Sequence, residues 1–165
     1  MKKIKIDAHI TIRAAKKKDA SLILSFIREL AEYEHMSHFV EADETILKKF
    51  IFKKKMIEVV IAEYDKKPAG FALYFHNFST FLGKPGIYLE DLFVRPEFRG
   101  KGLGKLLLSY LAKLVKERNY GRLEWACLDW NEPSVKFYKS QGAKPMDEWT
   151  VYRVTGENLA ILAGK

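Results

Sequence analysis

The chain lacks the features that mark secreted, disulfide-stabilised and membrane-spanning proteins. A single cysteine, Cys127, stands among its 165 residues, which excludes an internal disulfide and fits a reducing compartment. No apolar stretch approaches the ~20 residues that a membrane helix needs. The basic start, residues 1–7, has no apolar core behind it, so we expect no secretion signal. These absences predict a cytoplasmic protein with no membrane partner.

Metal-binding and common nucleotide-binding spacings are missing as well. His35 and His38 are helix-spaced, but no carboxylate and histidine constellation completes a zinc site, so we expect no metal. No glycine pair has the P-loop spacing with Lys and then Ser or Thr behind it. The dinucleotide pattern Gly-x-Gly-x-x-Gly fails at its third glycine, where Lys105 or Leu107 stands.

Negative charge is scarce relative to positive charge. The net charge is +8 and the isoelectric point is about 9.4. The lysine runs at 16–18 and 53–55 lie at element ends, where charge runs usually face water. Nucleic-acid binding is a second interpretation, but zinc-finger spacing and RNP-like strands are missing, so we expect no nucleic-acid partner. A third interpretation of the positive charge is a basic rim that attracts an anionic cofactor.

Periodicity predicts one α/β domain over residues 1–165, with residues 1–9 as a flexible extension. Apolar alternation and β-branched runs predict strands, and helical spacing with capping residues predicts helices. The order β-α-α-β-β-β-α-β-α-β gives a mixed sheet flanked by helices. The predicted strands are 9–14, 57–64, 69–78, 87–94, 123–128 and 149–154, and the predicted helices are 19–34, 42–52, 103–118 and 131–142.

A basic glycine loop joins a strand to a helix in mid-chain. Residues 95–104 follow the apolar run 87–94 and precede the helical pattern from Leu103. Glycines let a backbone approach a ligand closely, and a helix start supplies unpaired N–H donors with partial positive charge. The loop therefore predicts a phosphorylated cofactor.

The spacing Arg99-x-x-Gly102-x-Gly104 resembles the pyrophosphate loop of the GCN5-related N-acetyltransferase (GNAT) superfamily. Three further segments, residues 27–34, 88–94 and 130–138, make the chain similar to the diamine acetyltransferase branch, the spermidine/spermine N1-acetyltransferase-like proteins. The resemblance implies the acyl-CoA N-acyltransferase fold, with a mostly antiparallel sheet, and acetyl-CoA as cofactor. It also implies homodimers and direct acetyl transfer, in a ternary complex, to a primary amine of a di- or polyamine or a thialysine-like or lysine-like acceptor.

The resemblance assigns the catalytic groups. It puts the acid that protonates the CoA thiolate at Tyr138, whose phenol can supply that proton. Spacing alone favours an amphipathic core tyrosine, and the flanking Asn-Glu-Pro-Ser and Phe137 motif favours the acid instead. Glu90 is the candidate base, through a water, or else a structural carboxylate in an apolar strand. Asp91 points to the opposite face of a regular strand and is the weaker base candidate, or it holds the substrate.

The expected ligand contacts follow from position. The backbone of the strand end should pair with pantetheine amides, and the loop N–H groups should face the pyrophosphate. Asn131 is placed near the pantetheine arm by the family or caps a helix. The expected cofactor-binding residues are Leu92, Phe93, Val94, Arg99, Gly100, Lys101, Gly102, Leu103, Gly104 and Asn131. For the substrate, the resemblance implies Glu148 and Trp149, and local acidic charge adds Glu32 and Asp91.

Two other functions remain open on the sequence. One is acetylation of a protein or peptide amine, which predicts an open groove. The other is a non-catalytic CoA-binding or nucleic-acid-binding module.

Overall fold

The computed structural model describes residues 4–165, which form two compact units, one ending at Ala126 and the other spanning Cys127–Lys165. The first unit holds the whole sheet. Its strands are β1 (Ile4–Lys5), β2 (Ile10–Ala14), β3 (Glu58–Tyr64), β4 (Lys67–Ser79), β5 (Lys84–Val94) and β6 (Leu123–Glu124). Its helices are α1 (Ala20–Tyr33), α2 (Glu44–Leu47) and α3 (Leu103–Glu117), with 3-10 turns at Lys17–Asp19, Ser37–Phe39 and Pro96–Phe98.

The six strands pair in the order in which they occur in the chain. Neighbours from β1 to β5 are antiparallel, and only β5 and β6 are parallel. The predicted mixed, mostly antiparallel sheet is therefore confirmed. The turn Asp65–Lys66, with φ of 47° and 64°, makes the expected hairpin between β3 and β4.

Helices cover both faces of this sheet. On one face α1 buries Ile23 and Phe26, and the Phe26 ring stacks on Phe71 at 5.2 Å between centroids. Leu47 and Ile51 extend this core. On the other face α3 buries an apolar stripe against the strands, made of Leu103, Leu107, Leu111 and Leu114. The sheet therefore forms the centre of a three-layer unit.

The predicted helix 42–52 continues past α2 as a π-helix, Lys48–Lys53. Leu47 and Ile51 are four positions apart, so they lie on one side of the segment, and both are buried. The helical pattern also predicts Ile46, Leu47 and Phe50 on the core side. Leu47 is buried there and Phe50 is half-buried, but the expectation was wrong for Ile46, which is 42% exposed.

The second unit carries two helices, α4 (Glu132–Ser140) and α5 (Gly156–Leu162). The predicted helix 131–142 is confirmed as α4. The strand predicted over 149–154 is wrong, because this stretch pairs with no strand within residues 4–165, and Val151 and Tyr152 are 79% and 90% exposed. The predicted strand 123–128 is reduced to β6, which pairs with β5 at only two positions.

Two elements were not predicted, β1 and α5. Ile4 and Lys5 pair with Ile12 and Thr11. The flexibility expected for residues 1–9 stays a prediction, and its first three residues lie outside the described part of the chain.

Candidate functional site

A β-bulge in β5 marks the centre of the candidate site. Asp91 pairs with Leu73 and Leu89 pairs with Tyr74, so Glu90 is an extra residue without a partner on β4. Bulges bend a strand and redirect side chains, and they are frequent beside active sites. The Glu90 side chain is exposed, whereas Asp91 is half-buried.

Asp91 is the carboxyl group whose environment is most unusual. Burial, followed by the negative charges of Glu90 and Glu34, raises the pKa of Asp91 to about 7. Burial also raises the pKa of Glu34, the residue that ends α1. A carboxyl group that titrates near neutral pH can exchange a proton with a bound molecule under physiological conditions.

The bulged strand has an incomplete neighbour on its other side. The ladder between β5 and β6 consists of Ile87 with Leu123 and Tyr88 with Glu124. From Leu89 to Val94, β5 is paired only with β4 among the described residues. Leu92, Phe93 and Val94 therefore lie on a sheet edge where an extended amide-bearing ligand could add like a strand.

The glycine loop leads from this edge into α3. Gly100 and Gly102 have φ of 76° and 79°, and a Cβ atom built on either would find nothing within 4 Å. Within residues 4–165, the backbone N–H groups of residues 100–104 donate to no acceptor. These groups lie at the start of the 15-residue helix α3, whose dipole favours an anion there.

The cation at the head of the loop is held between two elements. The Arg99 guanidinium lies 4.8 Å from the centroid of the Tyr33 ring and 5.9 Å from that of Phe93. Its Nε donates to the carbonyl oxygen of Val94 at 3.0 Å. Arg99 thus connects the end of α1 to the end of β5 and keeps a positive charge beside the loop.

The neighbouring cations have other surroundings. Arg95 forms a two-fold salt bridge with Glu29, at 2.9 and 2.7 Å, and donates to the carbonyl oxygen of Pro68. Lys101 places its Nζ 4.3 Å from the centroid of the Tyr64 ring. Arg95 is therefore a structural cation, whereas the ammonium of Lys101 remains at the loop surface.

The second unit holds the other residues expected from the sequence. Asn131 is buried, and its side-chain oxygen accepts from the N–H of Ser134 at 3.3 Å, so its capping role is confirmed. Tyr138 is half-buried on α4, with its ring 5.3 Å from that of Phe137. Glu148 and Trp149 are exposed, and Trp149 retains 69% of its accessible surface.

The acid of α1 whose charge reaches Asp91 is Glu34, two positions after the exposed Glu32. The sequence offered Glu34 as one of several acidic candidates for a cationic substrate and placed it at the end of the predicted helix 19–34, but Glu32 was the expected contact. The proximity of Glu34 to a strand 57 residues later depends on the tertiary fold.

Membrane spans and metal clusters are both missing from the described residues. No helix within residues 4–165 has the length and apolar character needed to cross a bilayer. In the same part of the chain, no group of three or more His, Cys, Asp or Glu side chains could hold a metal ion.

Comparisons with known proteins agree on one family. The sequence model of the acetyltransferase (GNAT) family matches residues 23–143. A thialysine N-epsilon-acetyltransferase of Bos taurus is 36% identical, over 96% of this chain and 99% of the relative. An L-ornithine N5-acetyltransferase of Arabidopsis thaliana is 44% identical over 59% of this chain and 43% of the relative. The structure of an integron cassette protein from the mobile metagenome of V. cholerae superimposes with a TM-score of 0.79 and 31% identity, covering 96% of this chain and all of the other.

Proposed function

This chain belongs to the acetyltransferase (GNAT) family and is an acetyl-CoA-dependent N-acetyltransferase, and we propose that its acceptor is a primary amine of a small cationic molecule of the lysine, ornithine or diamine type. The relatives named for thialysine and L-ornithine support this acceptor class. The observation that carries the proposal is the half-buried Asp91, flanked by the charges of Glu90 and Glu34. The negative potential at this bulge attracts an ammonium group, and a carboxylate there can also take the proton of that group.

The described residues fit the cofactor. Five consecutive N–H groups, residues 100–104, are free to bind the pyrophosphate, and the two glycines leave open space for its approach. Arg99 adds a positive charge, and the edge of β5 at Leu92, Phe93 and Val94 offers backbone partners for pantetheine amides. Lys101 contributes a second charge at the same loop. When bound, acetyl-CoA supplies an activated acetyl group as a thioester.

We propose that the carboxyl groups of the bulge remove the proton of the acceptor amine. An alkyl ammonium group has a pKa near 10 and cannot attack until it loses a proton. Asp91, with a pKa of about 7, is half deprotonated near neutral pH and can accept that proton directly. Glu90 is exposed and would act through a water. Asp91 is favoured because it is half-buried and its pKa is about 7.

The remaining proton comes from the second unit in this proposal. As the amine nitrogen forms a bond with the acetyl carbon, the carbon–sulfur bond would break and the Tyr138 hydroxyl would donate its proton to the sulfur. The nitrogen loses two protons in all: the first goes to the carboxylate before attack, and the second, released as the amide forms, restores the Tyr138 hydroxyl. No covalent enzyme intermediate forms. Asn131 is proposed to contact the cofactor as well as capping α4, and Glu148, Trp149 and Glu32 are proposed to contact the acceptor.

The first experiment measures thiol release from acetyl-CoA with putrescine, spermidine, spermine, thialysine, ornithine, lysine and a lysine-bearing peptide. We expect turnover with at least one small amine and little with the peptide. Turnover with the peptide alone would contradict the proposed acceptor class. Absence of turnover with every amine of the panel, while acetyl-CoA still binds, would also contradict the proposed acceptor class.

Two further properties are proposed for the whole molecule. Residues 1–165 act as one catalytic domain, working in the cytoplasm as a homodimer. Exposed apolar side chains in the second unit support the dimer, since large apolar surfaces in solution usually meet a partner. These side chains are Met146, Trp149, Val151, Tyr152, Leu159, Ile161 and Leu162. Sedimentation equilibrium of the purified chain tests the dimer, and a monomer at all concentrations would contradict it.

A further inference from the structure

The fold brings the two lysine runs of the sequence to the same end of the sheet. Ala14, the last residue of β2, pairs with Val60, and the N–H of Ala15 donates to the carbonyl oxygen of Val59 at 2.9 Å. Lys16 to Lys18 come directly after Ala15, and Lys53 to Lys55 end two residues before β3 begins. Runs that are 35 residues apart in sequence therefore flank the same pair of strand ends.

The lysines at this end are exposed, and the charge of Lys18 acts on Asp19 without a salt bridge between them. Within residues 4–165, none of them forms a salt bridge. Lys49 belongs to the same surface, since it and Lys54 place their ammonium groups 5.4 and 5.3 Å from the centroid of the Phe50 ring. We call this set the lysine surface; its members are Lys16, Lys17, Lys18, Lys49, Lys53, Lys54 and Lys55.

Three carboxylates of the flanking elements are bound to other cations and a fourth caps a helix, so none of these four pairs with a lysine of this surface. Asp19 accepts from both terminal nitrogens of Arg13, at 2.7 and 3.1 Å. Glu58 binds Arg118, at 3.0 and 3.2 Å. Glu44 binds Lys48 at 2.9 Å, and Asp43 caps α2 through the N–H of Ile46. The positive potential of the seven lysines is therefore directed into solvent.

The lysine surface lies at the opposite end of the sheet from the glycine loop. That loop follows Val94, which pairs with Gly70, and Gly70 pairs with Ala62. The lysine surface adjoins Glu58, at the start of β3, and β3 runs from there to Tyr64, about 20 Å away at ~3.3 Å per residue. The surface is therefore too far away to be a rim of the cofactor site.

We propose that the lysine surface binds the phosphate backbone of nucleic acid without reading its sequence. A duplex presents one negative charge per ~1.7 Å, and lysine ammonium groups bind phosphates as point charges that need no fixed geometry. The expectation from sequence that nucleic acid is not a partner treated each run as a separate solvated end. The sheet topology gathers both into one surface.

A membrane surface is a poorer fit for this part of the molecule. Membrane-binding helices need an exposed apolar face beside their lysines. Here Leu47 and Ile51, the apolar face of the α2 and π-helix segment, are buried in the protein core. Only Ile46 and Met56 leave large apolar side chains exposed in this segment.

The test compares two variants of equal charge. The surface variant carries Lys17→Gln, Lys53→Gln and Lys54→Gln. The control variant carries Lys5→Gln, Lys66→Gln and Lys67→Gln, three exposed lysines at or near the other end of β3. Binding to a fluorescent DNA duplex of about 20 base pairs is measured between about 50 and about 200 mM salt.

With about four lysines on phosphates, the affinity of the unchanged protein should fall about 100-fold across this range. We expect the surface variant to bind at least about 10-fold more weakly at low salt, with a shallower salt dependence, and the control variant to stay within about 3-fold. Equal weakening of both variants would overturn the proposal, and so would absence of binding by the unchanged protein. Tighter binding to phosphatidylserine vesicles or to polyglutamate than to the duplex would overturn it too.

Thiol release from acetyl-CoA is also measured for both variants. This assay distinguishes a failure of the nucleic-acid proposal from a failure of the proposed acceptor class. Neither variant alters a residue of the candidate site, so we expect unchanged turnover in both. Loss of turnover in the surface variant alone would overturn the independence of the two sites. Inactivity of the unchanged protein toward small amines would refute the acceptor without affecting the duplex result.

Discussion

Replacing Asp91 by Asn should stabilise the fold by an amount that depends on pH. The folded pKa of about 7 lies above the ordinary value of 3.8, mainly because the carboxyl is buried and secondly because Glu90 and Glu34 are negative. Between these two pH values, the folded protein keeps a proton that the unfolded chain has lost. The stability of the unchanged protein must therefore fall as pH rises from about 4 to about 7.

The size of the effect follows from the two pKa values. Their difference corresponds to about 4 kcal/mol, at about 1.4 kcal/mol for each tenfold change in proton concentration. An asparagine has nearly the same shape but does not titrate, so it does not lose stability as the pH rises. The Asp91→Asn variant should match the unchanged protein near pH 4 and exceed its unfolding free energy by up to about 4 kcal/mol near pH 8.

Urea unfolding followed by tryptophan fluorescence, at several pH values between about 4 and about 8, measures this difference. Glu41→Gln, a change at an exposed acid, is the matched control and should show little pH-dependent change. A stability difference for Asp91→Asn that is constant with pH, or that shrinks as pH rises, would refute the reasoning. If Asp91 is also the base, the same variant should lose most turnover while gaining stability.

Three other substitutions, one of them with a matched control, test separate parts of the structure. Tyr138→Phe should lower kcat at least about 100-fold while acetyl-CoA binding, measured calorimetrically, stays within about 2-fold; normal turnover would exclude the assigned acid. Gly102→Ala forces a side chain to adopt φ of 79°, which should cost about 1–2 kcal/mol and weaken acetyl-CoA binding. Gly83→Ala, with φ of 61° in a distant hairpin, should cost the same stability without affecting binding, so equal binding losses would contradict the loop's role. Gly70→Ala would place a Cβ atom 2.4 Å from the carbonyl oxygen of Phe93. We therefore expect the free energy of unfolding to fall by about 3 kcal/mol, measured by thermal unfolding. An unchanged melting temperature would show that β4 and β5 can separate there.

Elements whose apolar residues repeat over several turns were predictable from the sequence. The helix expected after Asp19 and the one expected from Leu103 appear as α1 and α3, and their apolar stripes are buried as expected. The glycine spacing at Gly102 and Gly104 was enough to indicate the family, which the comparisons confirm. In each of these cases, local sequence and tertiary burial demand the same conformation.

The C-terminal segment shows where local pattern fails. Residues 149–154 are rich in β-formers, but a strand needs a partner, and none pairs with them among the described residues. The signal for α5 was available, since Thr155 precedes it as the N-cap residue and Glu157 lies in its first turn. Helix and strand preferences in this short stretch were not separable without knowing what it packs against.

The unusual chemistry of the site was not predictable from local sequence. Glu90 and Asp91 are neighbours with similar side chains, and regular alternation put them on opposite faces. Burial, followed by the charges of Glu90 and Glu34, raises the pKa of Asp91, and both the burial and the approach of Glu34 depend on contacts with distant residues. Glu90 as a base stays a prediction.

The sheet order has a consequence for synthesis on the ribosome. Because each strand from β2 to β5 pairs with the strand made just before it, no strand of this series has to wait for a later one. The connections between β3, β4 and β5 are short, whereas β3 can pair with β2 only after residues 15–57, which carry α1 and α2, have been made. The entropy cost of closing such a loop grows only slowly with its length. Only β6 requires the chain to cross over through α3 before it can pair in parallel with β5. The sheet can therefore grow from the N-terminus as the chain emerges, and the segment carrying Tyr138 is synthesised after its last strand.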